Sequence, residues 1–246
     1  MTTLKVIFWV SLFIVFYAYI GYGIVLYMLV TIKRLISKKE LNPATQQEEP
    51  EVTLFIAAYN ERDFVQEKMR NTLELDYPRE KLRILWVTDG SDDGTPEVLR
   101  QYEGIEVIHR PERSGKIGAM NRGMHFVKTP IVVFCDANTM LGRESIRRIV
   151  RLFRDPIVGC VSGEKRIHKK EKDTAAGAGE GLYWKYESTL KKWDAELYSV
   201  VGAAGELFAI RTRLYQEVEH DTLLDDFIIS LRVAQKGYTI QYDPEA

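Results

Sequence analysis

The chain has 246 residues, with 34 Lys and Arg against 35 Asp and Glu, 46% hydrophobic residues and two cysteines. A net charge of −1 excludes a nucleic-acid binder that works by neutralising phosphates, and the apolar content excludes a disordered chain. Two cysteines exclude a disulfide framework, and Cys135 and Cys160, each inside an apolar run, read as buried thiols.

The first element in chain order is a membrane span. No residue from Val6 to Ile32 is charged. At about 1.5 Å per residue that run exceeds a hydrocarbon core of about 30 Å. It is too long for the apolar region of a signal peptide and has no small-residue cleavage site before Lys33. Trp9, Tyr17, Tyr19, Tyr22 and Tyr27 lie along it, several too central for an interfacial belt, which points to a membrane-protein partner or another helix beside the span. Lys33, Arg34, Lys38 and Lys39 outweigh Lys5, so the positive-inside rule puts the bulk of the chain on the cytoplasmic side of a cell membrane. Residues 1–39 therefore read as a transmembrane helix with a basic flank. Residues 40–51, with Asn42-Pro43 and a polar Thr45–Glu49 tract, read as a linker, and residues 52–246 as the globular domain.

From Val52 onward, short branched apolar runs alternate with helical patterns: Val52–Ala57, Arg62–Leu75, Leu82–Thr88, Pro96–Gln101, Glu106–His109, Lys116–Phe126 and Ile131–Cys135. This alternation predicts an α/β fold, a mainly parallel sheet covered on both faces by helices. Thr95-Pro96 signals a helix start with Thr95 as N-cap, and Gly142–Ser145 precedes a basic helix over Ile146–Phe153. Further on, strands are expected over Val158–Ser162, Val200–Ile210 and Tyr238–Tyr242, and helices over Glu180–Trp193 and Leu223–Lys236.

Ligands of open α/β sheets bind beyond the carboxyl ends of the strands. There the sequence places Tyr59-Asn60-Glu61, then Asp89-Gly90-Ser91-Asp92-Asp93, then Asp136-Ala137-Asn138. Each segment alone is an ordinary turn; three on one rim point to a cation or polar ligand. Asp89-x-Ser91-x-Asp93-Gly94 opens like an EF-hand loop, but its twelfth position is Arg100 where a bidentate carboxylate is required. Arg113-Ser114-Gly115-Lys116-Ile117 lacks the leading Gly and following Ser/Thr of a P-loop, and the usual zincin, hydrolase-elbow and Cys-x-x-Cys signatures do not occur.

The ordered set Ala57-Ala58-Tyr59-Asn60-Glu61, Thr88–Thr95, Gly115–Asn121, Cys135–Asn138 and Leu224-Asp225-Asp226-Phe227 resembles family 2 glycosyltransferases. The resemblance is to the membrane-bound branch with cellulose, hyaluronan and poly-N-acetylglucosamine synthases, and it covers Val52 to the end. It implies a GT-A fold and inverting transfer of a hexosyl or N-acetylhexosaminyl group from a UDP-sugar to a growing glycan or glycolipid. Tyr59, Glu61 and Asp89 match positions that hold the base and ribose, and Lys116 a basic residue near the nucleotide. Asp136 and Asn138 occupy the Asp-x-Asp positions that bind Mg²⁺ or Mn²⁺ with the diphosphate; Asn138 carries one negative charge fewer than the family's second Asp. Asp226 aligns with the family's catalytic base and Asp225 with the Glu before it.

Plainer readings stand beside these. Lys116 is equally a solvated lysine at a helix start, and Asp225 and Asp226 equally stabilise a helix dipole. Gly202-Ala203-Ala204-Gly205-Glu206 resembles the family's small-residue loop under the acceptor sugar and is equally a close-packed strand entry. Tyr183, Trp184, Tyr186 and Trp193 fall at helical spacing and read as core or a membrane-lying face before a sugar platform. The Gln-x-x-Arg-Trp motif and later membrane helices of processive members do not occur, so the expectation is a fragment or truncated form that binds donor and metal without polymerising. The rival readings are a non-processive transferase onto a lipid-phosphate or protein acceptor, and a non-catalytic membrane scaffold subunit.

Overall fold

A computed structural model describes residues 2–36, 49–164 and 175–246. These fall into two compact units, residues 2–36 with 175–199, and residues 49–164 with 200–246.

In the first unit, α1 (Thr2–Phe16), a π-helical turn (Tyr17–Gly21) and α2 (Tyr22–Ile36) make one unbroken helix over Thr2–Ile36. It is long and apolar enough to cross a membrane. No residue of α1 is buried, whereas Gly23, Leu26 and Val30 of α2 are covered. The covering element is α7 (Ala175–Leu197), which is longer than the expected Glu180–Trp193. Tyr186 donates to the Tyr19 carbonyl at 2.7 Å, and Tyr22 to Asp194 at 2.5 Å. Lys33 donates to the carbonyls of Glu196 and Leu197, both at 2.9 Å, and the Arg34 guanidinium makes a two-pronged pair with Glu196. A lysine on the last carbonyls of a helix supplies the donors that the helix end lacks. The expected membrane-lying or core role of the aromatic stripe is thus partly taken up here: Trp193 packs on Tyr27, ring centres 5.2 Å apart.

The second unit is built on a seven-stranded sheet, β1 (Val52–Ala58), β2 (Leu82–Asp89), β3 (Ile105–Arg110), β4 (Ile131–Asp136), β5 (Val158–Ser162), β6 (Leu207–Arg211) and β7 (Thr239–Tyr242). The order is β3-β2-β1-β4-β6-β5-β7. β3, β2, β1 and β4 run parallel, β6 runs against both β4 and β5, and β7 is parallel to β5. The sheet is therefore mixed. Residues 200–206, expected in a strand, form the loop that leads into β6. A strand that reverses direction must start where its neighbours end, and that reversal brings this loop to the carboxyl edge.

Alternate residues of β1 serve two cores. Val52, Leu54 and Ile56 join Val65 and Met69 of α3 (Arg62–Leu73) and Ile146 and Ile149 of α6 (Ser145–Leu152) in one buried cluster. On the opposite face Phe55 packs on Phe134, and Phe134 stacks on Phe208 with ring centres 4.8 Å apart. There α5 (Gly115–Met124) comes so close that a Cβ on Gly123 would lie 2.4 Å from the Phe55 ring.

Two local expectations shift. The N-cap of α4 (Thr95–Leu99) is Gly94; Thr95 opens the helix, and Asp93 caps it by accepting from the Thr95 amide and hydroxyl. Most of the expected linker lies outside the described residues, and its last residues are packed: Tyr77 donates to the Pro50 carbonyl at 2.5 Å and Arg147 pairs with Glu49.

Candidate active site

Of the four parallel strands, β1, β2 and β4 end in the polar segments singled out above. At the end of β1, Asn60 adopts the left-handed conformation (φ 53°), which Asn tolerates better than most residues. Its side-chain amide donates to Asp92 at 2.9 Å and its carbonyl accepts from the Asp92 amide at 3.0 Å. The loops after β1 and β2 are thereby fastened together, and Asp93 adds a bond from the Arg62 amide. Burial pushes the Asp93 carboxyl up, but the bonds from Thr95 and Arg62 outweigh it and hold the group below its ordinary range.

Asp89, at the end of β2, is buried. Its Oδ2 accepts from the Ser114 amide at 2.6 Å and its Oδ1 from Arg122 at 2.9 Å. Arg122 also donates to the Thr88 carbonyl. The carboxylate thus fixes the turn that opens α5. Above it, the Arg113 guanidinium stacks 3.7 Å from the centre of the exposed Tyr59 ring. Asn121, in the same motif as Lys116, holds the backbone of Val218 and the hydroxyl of Tyr215.

Lys116 stands in the first turn of α5 and reaches Asp136 at the end of β4, Nζ to Oδ1 2.9 Å, with Asp225 Oδ2 at 4.0 Å. Burial alone would lower the Lys116 ammonium; Asp136, Asp225 and Asp226 outweigh it and raise the group above its ordinary value. Glu61 faces the same cluster, and burial, then Asp136 and Asp93, push its carboxyl up. Asp225 and Asp226 are the first two residues of α8 (Asp225–Gln235), about 100° apart around its axis. Burial raises the Asp226 carboxyl; the Phe227 amide opposes that and Asp225 adds to it. Of the eight residues singled out from sequence, the structure brings Lys116, Asp136, Asp225 and Asp226 together with Glu61 beside them. Asn138 is exposed on the following turn, and Tyr59 and Asp89 form a separate group with Arg113 and Arg122.

The loop before β6 closes the cluster. A Cβ on Gly205 would lie 3.2 Å from Asp226 Oδ2, and one on Gly202 would lie 2.5 Å from the Phe227 ring. Ser230 donates to the Phe227 carbonyl at 2.9 Å and accepts the Ala203 amide at 3.1 Å, and Ser162 accepts the Ala204 amide at 3.0 Å. Sequence reading passed over both serines, along with Arg113 and Arg122. Arg122 sits six residues beyond Lys116 in a helix already marked, which is the one hint the sequence offers.

Asp136, Asn138 and Asp225 offer hard oxygen donors, and Asp225 Oδ2 is buried without a hydrogen-bond partner. That chemistry suits Mg²⁺ or Mn²⁺. Among the described residues no group of three or more His, Cys, Asp and Glu could hold a metal by itself. The donor set therefore fits a cation that takes the rest of its oxygens from a ligand such as a diphosphate.

A sheet of this order, with loops carrying carboxylates on its carboxyl edge and one antiparallel strand returning to it, is the GT-A sugar-transferase fold. The chain belongs to glycosyl transferase family 2, whose description matches residues 53–219. It is 26% identical over 203 residues to a poly-beta-1,6-N-acetyl-D-glucosamine synthase of Staphylococcus aureus, covering 79% of this chain and 48% of that one. It is 28% identical over 167 residues to a beta-monoglucosyldiacylglycerol synthase of Trichormus variabilis, covering 64% and 34%. The chain spans about half the length or less of these curated relatives. Among solved structures, a mannosyltransferase from Pyrobaculum calidifontis in complex with GDP-Man and Mn²⁺ superposes with a TM-score of 0.74 at 26% identity, covering 93% of this chain and 64% of that one. The Staphylococcus aureus protein TarS in complex with UDP superposes at 0.63 with 12% identity over 80% of this chain and 58% of its own, a likeness of fold.

Proposed function

We propose that this chain is the donor-binding and catalytic part of an inverting, membrane-anchored glycosyltransferase that moves a hexosyl or N-acetylhexosaminyl group from a UDP-sugar to a glycan or glycolipid. The observation that carries the reading is the convergence of Lys116, Asp136, Asp225 and Asp226 at the carboxyl edge of the sheet. In this reading Tyr59, Glu61 and Asp89 hold the nucleoside end of the donor, Asp89 through the turn it fixes. Lys116 places positive charge beside the diphosphate without demanding a fixed geometry. Asp136 and Asn138 hold a divalent cation, which when bound supplies Lewis-acid stabilisation of charge on the departing nucleotide. Asp226 takes the proton of the acceptor hydroxyl as it attacks, a task suited to a carboxylate whose affinity for protons is raised by burial. The small residues of the loop Gly202–Glu206 place backbone beside Asp226, where the acceptor sugar would approach.

Anchoring by the helix Thr2–Ile36, with the second unit in the cytoplasm, is part of this reading and is supported by the helix's length, its apolar surface and the basic residues at its end. A glycolipid acceptor is favoured by that anchor and by the relative named as a monoglucosyldiacylglycerol synthase. The test is release of nucleotide from a panel of UDP-sugars and GDP-Man by detergent-solubilised protein with Mn²⁺ or Mg²⁺. Metal-dependent release from one donor, lost in Asp136→Ala and Asp226→Asn, is expected. Turnover retained in both variants would remove these residues from the mechanism, and binding without turnover would favour the scaffold reading.

A further inference from the structure

A lysine with no exposed surface needs an explanation, because an ammonium loses several kcal/mol of hydration on burial unless it is partnered. Lys68 of α3 is fully buried. Among the described residues no carboxylate pairs with it; its ammonium donates instead to Cys135 Sγ at 2.9 Å and to the carbonyl of Thr139. Both acceptors belong to the segment that carries Asp136 and Asn138. Three residues further along the same helix, Asn71 donates to the Leu141 carbonyl and accepts from the Leu141 amide, both at 2.8 Å. Residues three apart lie on one face of a helix, so α3 presents a matched pair of polar side chains to one loop.

That loop has little backbone support of its own. After β4 ends, the Thr139 amide closes a turn on the Asp136 carbonyl at 3.2 Å, and the Thr139 carbonyl and both Leu141 groups have no strand to pair with. Lys68 and Asn71 take those three groups. We infer that Lys68 and Asn71 are positioning residues: a buried two-point clamp behind the Asp136–Leu141 loop that sets where Asp136 and Asn138 stand relative to each other. The ammonium is the strong half of the clamp, since a charged donor on a backbone carbonyl is worth more than a neutral one. It can be retained in a buried place because it has two acceptors, the Cys135 sulfur and the Thr139 carbonyl. The inference rests on the proposed reading in one respect, that Asp136 and Asn138 hold the cation with the diphosphate.

The experiment uses the full chain in detergent with Lys68→Met, which keeps the length of the side chain and removes its charge, and with Asn71→Asp, which keeps the acceptor and loses the donor. Two quantities are read: hydrogen exchange of peptides spanning residues 136–141, and Mn²⁺ binding in the presence of UDP, followed by the electron paramagnetic resonance of free Mn²⁺. Exchange in that segment should quicken about tenfold in each variant, and the apparent Mn²⁺ affinity should fall about tenfold, while other peptides keep their protection. Unchanged exchange across 136–141 in either folded variant overturns the clamp. Quickened exchange with unchanged Mn²⁺ affinity overturns its role in positioning the ligands. If the unaltered chain binds no Mn²⁺ with UDP, the donor reading fails while the exchange result still decides the clamp; should Lys68→Met not fold, Asn71→Asp carries the same comparison.

Discussion

Asp226 and Gly205 face each other so closely that a single methyl group on Gly205 would lie 3.2 Å from Asp226 Oδ2 and 3.4 Å from its Cγ. One residue opens a helix and the other lies in the loop before an antiparallel strand, and the contact ties the two.

Gly205→Ala is therefore expected to displace the Asp226 carboxylate by a few tenths of an ångström and lower kcat roughly tenfold, with nucleotide binding retained. Gly202→Ala should behave differently, since its methyl would meet the Phe227 ring at 2.5 Å and the chain has to shift to admit it. Steady-state kinetics beside thermal melts separates them: loss of rate at constant stability for Gly205, loss of stability for Gly202.

Replacing Asp226 by Asn should reduce transfer by about 10²–10⁴-fold and leave Mn²⁺ and UDP binding in place. The unaltered enzyme should lose activity on acidification at a pH above the ordinary aspartate range, because burial raises the Asp226 carboxyl and in the proposed role it works only when ionised. Stability carries the opposite sign. A carboxyl raised in the folded state weakens the fold at pH above that raised value, and the cost disappears as pH falls below the ordinary range. Asp226→Asn should thus melt slightly higher than the unaltered chain at neutral pH, and the gap should close in acid. A kcat profile and melts at several pH values test both halves.

Arg122→Met leaves the buried Asp89 carboxylate without its ion partner and should cost about 3–5 kcal/mol, whereas Asp89→Asn keeps an acceptor for the Ser114 amide and should cost less. Chemical denaturation of the two variants would show the order, and equal losses would mean that the pair contributes little beyond its separate hydrogen bonds.

Ligand linkage offers an assay that needs no turnover. At a hundred times its dissociation constant, UDP with Mn²⁺ should add about 2.7 kcal/mol of stability. The gain should vanish in Asp136→Ala and persist in Asp226→Asn, which separates holding the donor from activating the acceptor.

How far the sequence alone reaches depends on whether a residue's partner is near it in the chain. The strands from Val52 to Asp136 were legible because their branched apolar runs are interrupted by Asn, Asp and Gly, and their helices between them leave a parallel arrangement as the simple outcome. The reversal at β6 was not, since direction is set by what a strand pairs with, and Leu207–Arg211 reads the same either way. Residues 200–206 looked like strand for the same reason: small apolar residues do not announce that Ser162 and Ser230 have taken their amides. Lys116, Asp136, Asp225 and Asp226 were found through the order of their motifs, and their distances are a product of the fold. Lys68 was invisible because a lysine in a helical pattern is ordinarily solvated, and only a loop seventy residues away makes it otherwise.

The direction of β6 also bears on where Glu206 stands. Because β6 begins beside the end of β4, with the Asp136 amide 3.4 Å from the Glu206 carbonyl, the strand that returns to the sheet starts at a fixed address. The pairing of β6 with β4, and not the length of the chain before it, therefore sets where Glu206 stands beside Asp136.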